Sequence, residues 1–174
     1  MGSFFKRQLA IYVEYHRDPR NTAMHVFGIL FLFTAAVLPL SLLQFHVLEV
    51  PVTLGAVLAL PALIYWLLLD AALGAAIVVA AVVLLSIATM IANHSDNAMM
   101  WSIFCALVVL GFSAQTIGHK VFEGREPSLF TFPNHLMMGP MFVMAKLFIA
   151  LGFRRDLAAI IGPAPANAVS THER

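Results

Sequence analysis

Two imidazoles, His16 and His25, stand nine residues apart in the stretch YVEYHRDPRNTAMHVFG (residues 12–28), separated by a charged segment broken at Asp18-Pro19. Far downstream, Gln115, His119 and Glu123 recur at a spacing of four, which aligns them on one face of a helix. A histidine and a glutamate so spaced can both reach one metal ion, or the imidazole can ligate while the carboxylate orients it from behind. Imidazole with carboxylate suits Fe, Zn, Mn or Cu, and a chain with one cysteine cannot build a thiolate site. His16, His25, His119 and Glu123 are therefore the candidate catalytic residues of a non-haem metal site with open positions. His135, after Pro133-Asn134, is either a further ligand or a helix-start residue.

The elements that must position these residues are hydrophobic. Of 174 residues, 61% are hydrophobic and 11% charged, with mean hydropathy +0.89. A soluble domain carries roughly 25% charged residues, so the composition predicts an all-α, multi-pass membrane bundle of four or five spans. Residues 1–162 read as one membrane domain and the Pro/Ala-rich residues 163–174 as a disordered tail. The net charge of +1 gives no reason to expect a nucleic-acid partner. Cys105, in an apolar run, reads as a small buried hydrophobe. No cleavable signal peptide and no internal repeat stand out.

Residues 3–17 are too polar to span, but Phe5, Leu9, Tyr12 and His16 form one helical stripe. This predicts an amphipathic helix, at the interface or packed on the bundle. Asp18-Pro19 ends it, and Asn21 is the expected cap of the next helix. Apolar runs follow at 23–44, 52–69, 71–92 and 98–118. The first, 22 residues long, reaches about 33 Å at 1.5 Å per residue, against a hydrocarbon core of about 30 Å. A fifth run, 136–151, contains Gly139-Pro140 and reads equally as a short span, a re-entrant segment or an interfacial helix. Its methionines, Met137, Met138, Met141 and Met144, suit core packing.

Lys and Arg before the first span and after the fourth, with none at 45–51 or 93–97, predict a cytoplasmic N-terminus. This orientation gathers His16, His25, His119, His135 and Asp70 at the cytoplasmic face of an integral membrane protein, in a bacterial inner membrane or, in a eukaryote, the endoplasmic reticulum. His46, His94 and Asp96 fall on the far side. Asp70 reads as a helix cap, a partner for a basic residue, or a neighbour of the site. Gln115 within an apolar span is costly unless it faces a site or the bundle interior.

The ordered pattern Tyr15-His16, Asn21, His25, Gly28, then Gln115, Gly118-His119, Phe122-Glu123-Gly124-Arg125 and Pro127, resembles the fungal 2-hydroxy fatty acid dioxygenase family, which has many bacterial members. The resemblance covers about residues 4–155, including Gly139-Pro140 and Phe142; the chain departs from the pattern at Lys146, where many relatives carry an acid. The resemblance implies Fe(II)-dependent α-oxidation, in which a 2-hydroxy fatty acid and O₂ yield a fatty acid one carbon shorter. It implies His16, His25 and His119 as the required histidines. A 2-hydroxy carboxylate can chelate Fe(II), and Arg20, Lys120 or Arg125 can pair with its carboxylate, with Gln115 a further substrate contact. Alternative readings are a membrane haem protein with His25 and His119 as axial ligands, a small transporter or lipid-binding scaffold, and a structural zinc site.

Overall fold

A computed structural model of the protein describes residues 2–124, 126 and 134–162; Arg125, Pro127 and the tail 163–174 lie outside the described residues. In chain order the elements are α1 (Ser3–Glu14), α2 (Pro19–Val37), a 3-10 turn (Pro39–Leu42), β1 (Gln44–Val47), β2 (Val50–Thr53), α3 (Leu54–Leu69), α4 (Ala71–His94), α5 (Asn97–Ile117), a π-helical turn (Gly118–Glu123), α6 (His135–Ala150) and α7 (Arg155–Ile161). Three helical stretches, Pro19–Leu42, Ala71–His94 and Asn97–Glu123, are long and apolar enough to cross a membrane. Helix α3 is apolar but has 16 residues, about 24 Å at 1.5 Å per residue.

The N-terminal stripe forms as its spacing predicts. Phe5, Leu9, Tyr12 and His16 are 1, 0, 3 and 2% exposed, so α1 is packed on the bundle rather than lying free at an interface. Its partners are α6 and α7, and the shared core includes Met138, Met141, Phe142 and Leu157. Helix α2 packs along α5 more extensively than any other helix pair among the described residues. Gly111 permits this approach, because a Cβ there would stand 2.7 Å from Leu32 Cγ.

Three local expectations are corrected. Asp18, not Asn21, caps α2: its side chain accepts from the Arg20 N–H at 2.8 Å, and Pro19 takes the first helical position, where no N–H is needed. Residues 44–53, read as the end of one span, a loop and the start of the next, instead form an antiparallel ribbon. Its tight turn holds Leu48 and Glu49 at positive φ. Cys105 is exposed on the outer face of α5 rather than buried. The fifth apolar run is α6, and the chain bends by 120° into α7. Gly152 and Arg154, at φ +85° and +53°, make that reversal.

Asp70 proves to be both cap and ion-pair partner. Its carboxylate accepts from the Leu73 N–H at 3.1 Å and from Arg154 Nη1 at 2.8 Å, tying the α3–α4 turn to the α6–α7 bend. Burial pushes the Asp70 carboxyl up, but the Arg154 guanidinium and the Leu73 N–H outweigh it and hold the group below its ordinary value. Replacing Asp70 by Ala removes a cap and one of the two carboxylates on Arg154, Asp156 remaining at 3.0 Å, at a cost of about 1–3 kcal/mol. The expected outcome is a lower midpoint in thermal unfolding of the detergent-solubilised protein, with metal content retained.

Candidate metal centre

Three histidines from three segments meet where α1, α2 and α5 converge. His16 follows the last turn of α1, His25 lies two turns into α2, and His119 sits in the π-helical turn that ends α5. Their ring centroids are 4.3 Å (His16–His25), 4.7 Å (His25–His119) and 4.9 Å (His16–His119) apart, all nearly edge-to-face. One ring nitrogen from each lies within 4.8 Å of the other two, and all three residues are buried.

Hydrogen bonds fix which nitrogens face inward. His16 Nδ1 lies 2.8 Å from the Tyr12 carbonyl, an acceptor only, so Nδ1 carries the proton and donates. His25 Nδ1 lies 3.0 Å from Asn21 Oδ1 and 3.3 Å from the Asn21 carbonyl, and donates in the same way. Both rings are thereby left with an Nε2 lone pair. His16 Nε2 and His119 Nδ1 are buried without a hydrogen-bond partner, an arrangement that native interiors rarely tolerate. Three converging imidazoles, two of them with an orphaned buried nitrogen, fit a divalent cation, and the donor set suits Fe, Zn, Cu or Mn. Burial, with the neighbouring His25 imidazole adding to it, drives the His16 pKa down to about 2, which keeps that ligand deprotonated at physiological pH. A macrocycle between His25 and His119 would need a flat gap that rings 4.7 Å apart at right angles do not leave.

Glu123 does not share this centre. Its Oε1 accepts from the Asp18 backbone N–H at 2.8 Å and from Asn21 Nδ2 at 3.1 Å. Asn21 Nδ2 also donates to the Tyr15 carbonyl at 3.2 Å, so two acceptors on one side fix the amide and turn Oδ1 to His25. The result is a carboxylate–amide–imidazole relay behind His25. The π-helical winding rotates Glu123 away from the line that a regular α-helix would give it, toward the α1–α2 hinge. Gly118 is required here, since a Cβ would collide with Asn21 Oδ1.

A cavity of about 320 Å³ opens beside the histidines, walled by Ile29, Leu32, Phe33 and Phe112, with Tyr12, Gln115, Thr116 and His135 supplying its polar groups. His135 faces this cavity, edge-on to Tyr12 at 5.1 Å, outside the trio of converging nitrogens. Gln115 packs on Gly28, where a Cβ would stand 2.7 Å from its Nε2. Arg20 is paired with Asp18 at 2.9 Å and stacked over Phe122. Lys120 is paired with Glu126 at 3.3 Å. Both are exposed pairs, and neither residue lines the cavity. Lys146, at the departure from the family pattern, donates to Thr22 Oγ1 at 2.9 Å and braces α6 on α2.

Two residues with a part in the site escaped sequence reasoning. Asn21 was legible as a cap and as a member of the motif pattern, not as the group that orients His25. Tyr12, read as a member of the buried stripe, stacks flat on His16 with centroids 4.0 Å apart and lines the cavity. Its spacing of four from His16 was the available signal.

Glu123→Ala should weaken metal affinity about 10–100-fold without removing a ligand. Glu123→Gln should lose less, because its amide oxygen can still accept from Asp18 and Asn21; titration with Fe(II) or Zn(II) separates the two. His16 also sets a pH dependence. Its folded pKa lies below the unperturbed value of about 6.5, so the unfolded chain binds the extra proton. The stability it contributes is fully present above about pH 6.5 and is lost as pH falls from there toward 2. Thermal melts of chelator-treated protein should therefore drop between pH 7 and 5, and a flat profile would contradict the neutral His16.

The chain is 28% identical over 159 residues, 90% of its own length and 86% of the other's, to the 2-hydroxy-palmitic acid dioxygenase MPO1 of Saccharomyces cerevisiae. No solved structure matches it. A family model described as 2-hydroxy-palmitic acid dioxygenase Mpo1-like matches residues 3–151, a span that takes in all three converging histidines, and the chain belongs to that Mpo1-like family.

Proposed function

We propose that the protein is a membrane-embedded, Fe(II)-dependent dioxygenase that shortens 2-hydroxy fatty acids by one carbon. The observation that carries this reading is the trio of buried, converging imidazoles His16, His25 and His119, with His16 Nε2 and His119 Nδ1 unpartnered, beside an apolar cavity. Membership of the Mpo1-like family and the yeast relative's activity on 2-hydroxy-palmitic acid support the choice of substrate. Zinc fits the same donors, but the reaction class calls for a redox metal. The long apolar helices support an integral membrane location, with residues 1–162 as one membrane domain. The Lys and Arg pattern supports a site at the cytoplasmic face, of the inner membrane in a bacterium.

Bound by the three histidines, Fe(II) would supply a chelation point for the substrate's 2-hydroxyl and carboxylate and the redox capacity to engage O₂. The protein's own groups do the rest. The Tyr12 carbonyl and Asn21 hold the His16 and His25 rings with their Nε2 atoms turned inward. Glu123 holds Asn21. Gln115, Thr116, His135 and the Tyr12 phenol, which burial keeps protonated, are the cavity's polar groups for a carboxylate head. Arg20 and Lys120 are committed elsewhere. Ile29, Leu32, Phe33 and Phe112 exclude water and take the start of the acyl chain. The overall reaction balances without an outside reductant: cleavage of C1–C2 releases C1 as carbon dioxide, C2 becomes the new carboxyl, and the four electrons removed reduce O₂, with one water formed.

The test is metal analysis of purified protein with an Fe(II)- and O₂-dependent assay on a long-chain 2-hydroxy acid. The wild type should bind about one iron per chain and release the acid one carbon shorter. His16→Ala, His25→Ala and His119→Ala should each lose metal and lower turnover at least ~100-fold, while His94→Ala, exposed at the end of α4, should behave as wild type. Retention of metal by all three single variants would reject the site.

A further inference from the structure

A second cavity, of about 250 Å³, lies between α2, α3 and α4, and nothing in the metal centre accounts for it. It is walled by apolar groups, with alanines Ala59, Ala62 and Ala81 leaving the space and Trp66 at one edge. Phe33 lines both this cavity and the one beside the histidines. The Phe33 ring lies 6.1 Å from that of Trp66, whose indole is fixed by donating Nε1–H to the Met137 carbonyl at 2.7 Å. The two spaces thus meet at one aromatic side chain.

We propose that this second cavity is the tail subsite for a long saturated acyl chain whose 2-hydroxy acid head lies at His16, His25 and His119, with Phe33 marking the passage between head and tail chambers. The inference rests on the function proposed above and adds to it the place of the chain's far end. Both chambers use one face of α2 and the 3-10 turn that follows it: Ile29 serves the first, Phe33 both, and Val37 and Leu40 the second. From His25 to Leu40 that face rises about 22 Å at 1.5 Å per residue, comparable with an extended long-chain acyl tail. The first cavity alone sits at the lower edge of the roughly 300–1,000 Å³ usual for ligand sites, so a long chain needs further room. The second is lined by apolar side chains and offers water few partners. A methyl-terminated hydrocarbon is the ligand that loses nothing there.

The protein supplies its own reporter. Its two tryptophans are Trp66, 4% exposed at the second cavity, and Trp101, 46% exposed near the start of α5. In Trp101→Phe protein, emission reports Trp66 alone. The probes are 2-hydroxy acids of equal length, brominated at mid-chain or near the head, and a phospholipid brominated along its tails. Because Trp66 stands beside Phe33 at the entrance of the second cavity, the mid-chain probe should quench Trp66 most, the head-end probe less and the phospholipid least. Stronger quenching by the head-end probe, or equal quenching by the phospholipid, would overturn the subsite. Ala62→Phe should abolish the mid-chain quenching. It should also lower kcat/KM for a long 2-hydroxy acid about tenfold or more relative to a short one, with metal content unchanged. Folded, metal-loaded Ala62→Phe protein with unaltered chain-length preference would reject the tail chamber while the proposed function stood. Position-dependent quenching in protein that binds no iron would keep the chamber and reject the proposed function.

Discussion

The interaction on which the rest depends is the Glu123 carboxylate held against the α1–α2 hinge. Glu123 comes from the end of α5, yet it accepts the Asp18 backbone N–H and the Asn21 side chain, partners 105 and 102 residues away. Asp18 itself caps α2 through its own side chain. One residue thus follows α1, starts a long apolar helix and is tied to a third. His16 precedes the hinge, His25 follows it and His119 stands a turn before Glu123, so the geometry of the trio is the geometry of this clamp.

Burial does the complementary work. The His16 imidazole is 2% exposed and that of His119 likewise, with inward nitrogens that no protein group satisfies. Leaving buried polar atoms unpaired costs about 1–3 kcal/mol each, and native structures keep such arrangements where a ligand or function offsets them. Packing of α1 on α6 and α7 through Phe5, Leu9 and Leu157 closes the centre from one side. The Asp70–Arg154 pair anchors the α6–α7 bend to the α3–α4 turn. Apolar surface elsewhere is left facing outward, as at Phe112 and Val109, which suits a bilayer as solvent and leaves the polar interior to the site.

The same helix that presents His25 also forms the wall of both cavities. In α2 a polar first turn precedes an apolar remainder, within which Phe33 lines both cavities. An amphipathic substrate with a chelating head matches that order along a single axis.

Much of this was written in the residues themselves. The stripe Phe5-Leu9-Tyr12-His16, the hinge at Asp18-Pro19, the apolar helices and the candidates His16, His25 and His119 follow from period, proline chemistry and residue type, all of which act over a few neighbours. The order of motifs around Gly118-His119 and Phe122-Glu123-Gly124 carried the family resemblance. What the sequence could not decide depends on partners distant in the chain. Whether Glu123 would ligate or support turned on a π-helical turn and on Asn21 and Asp18 being within reach. Arg20 and Lys120 looked available because their charges are visible in sequence and their exposed counter-ions are not assigned by it. Asp70 found Arg154 only because the chain bends by 120° after α6, and the ribbon at 44–53 formed where hydropathy read span and loop. Only three-dimensional packing could set Phe33 between two cavities, since the empty space is made by residues that α2, α3 and α4 bring together.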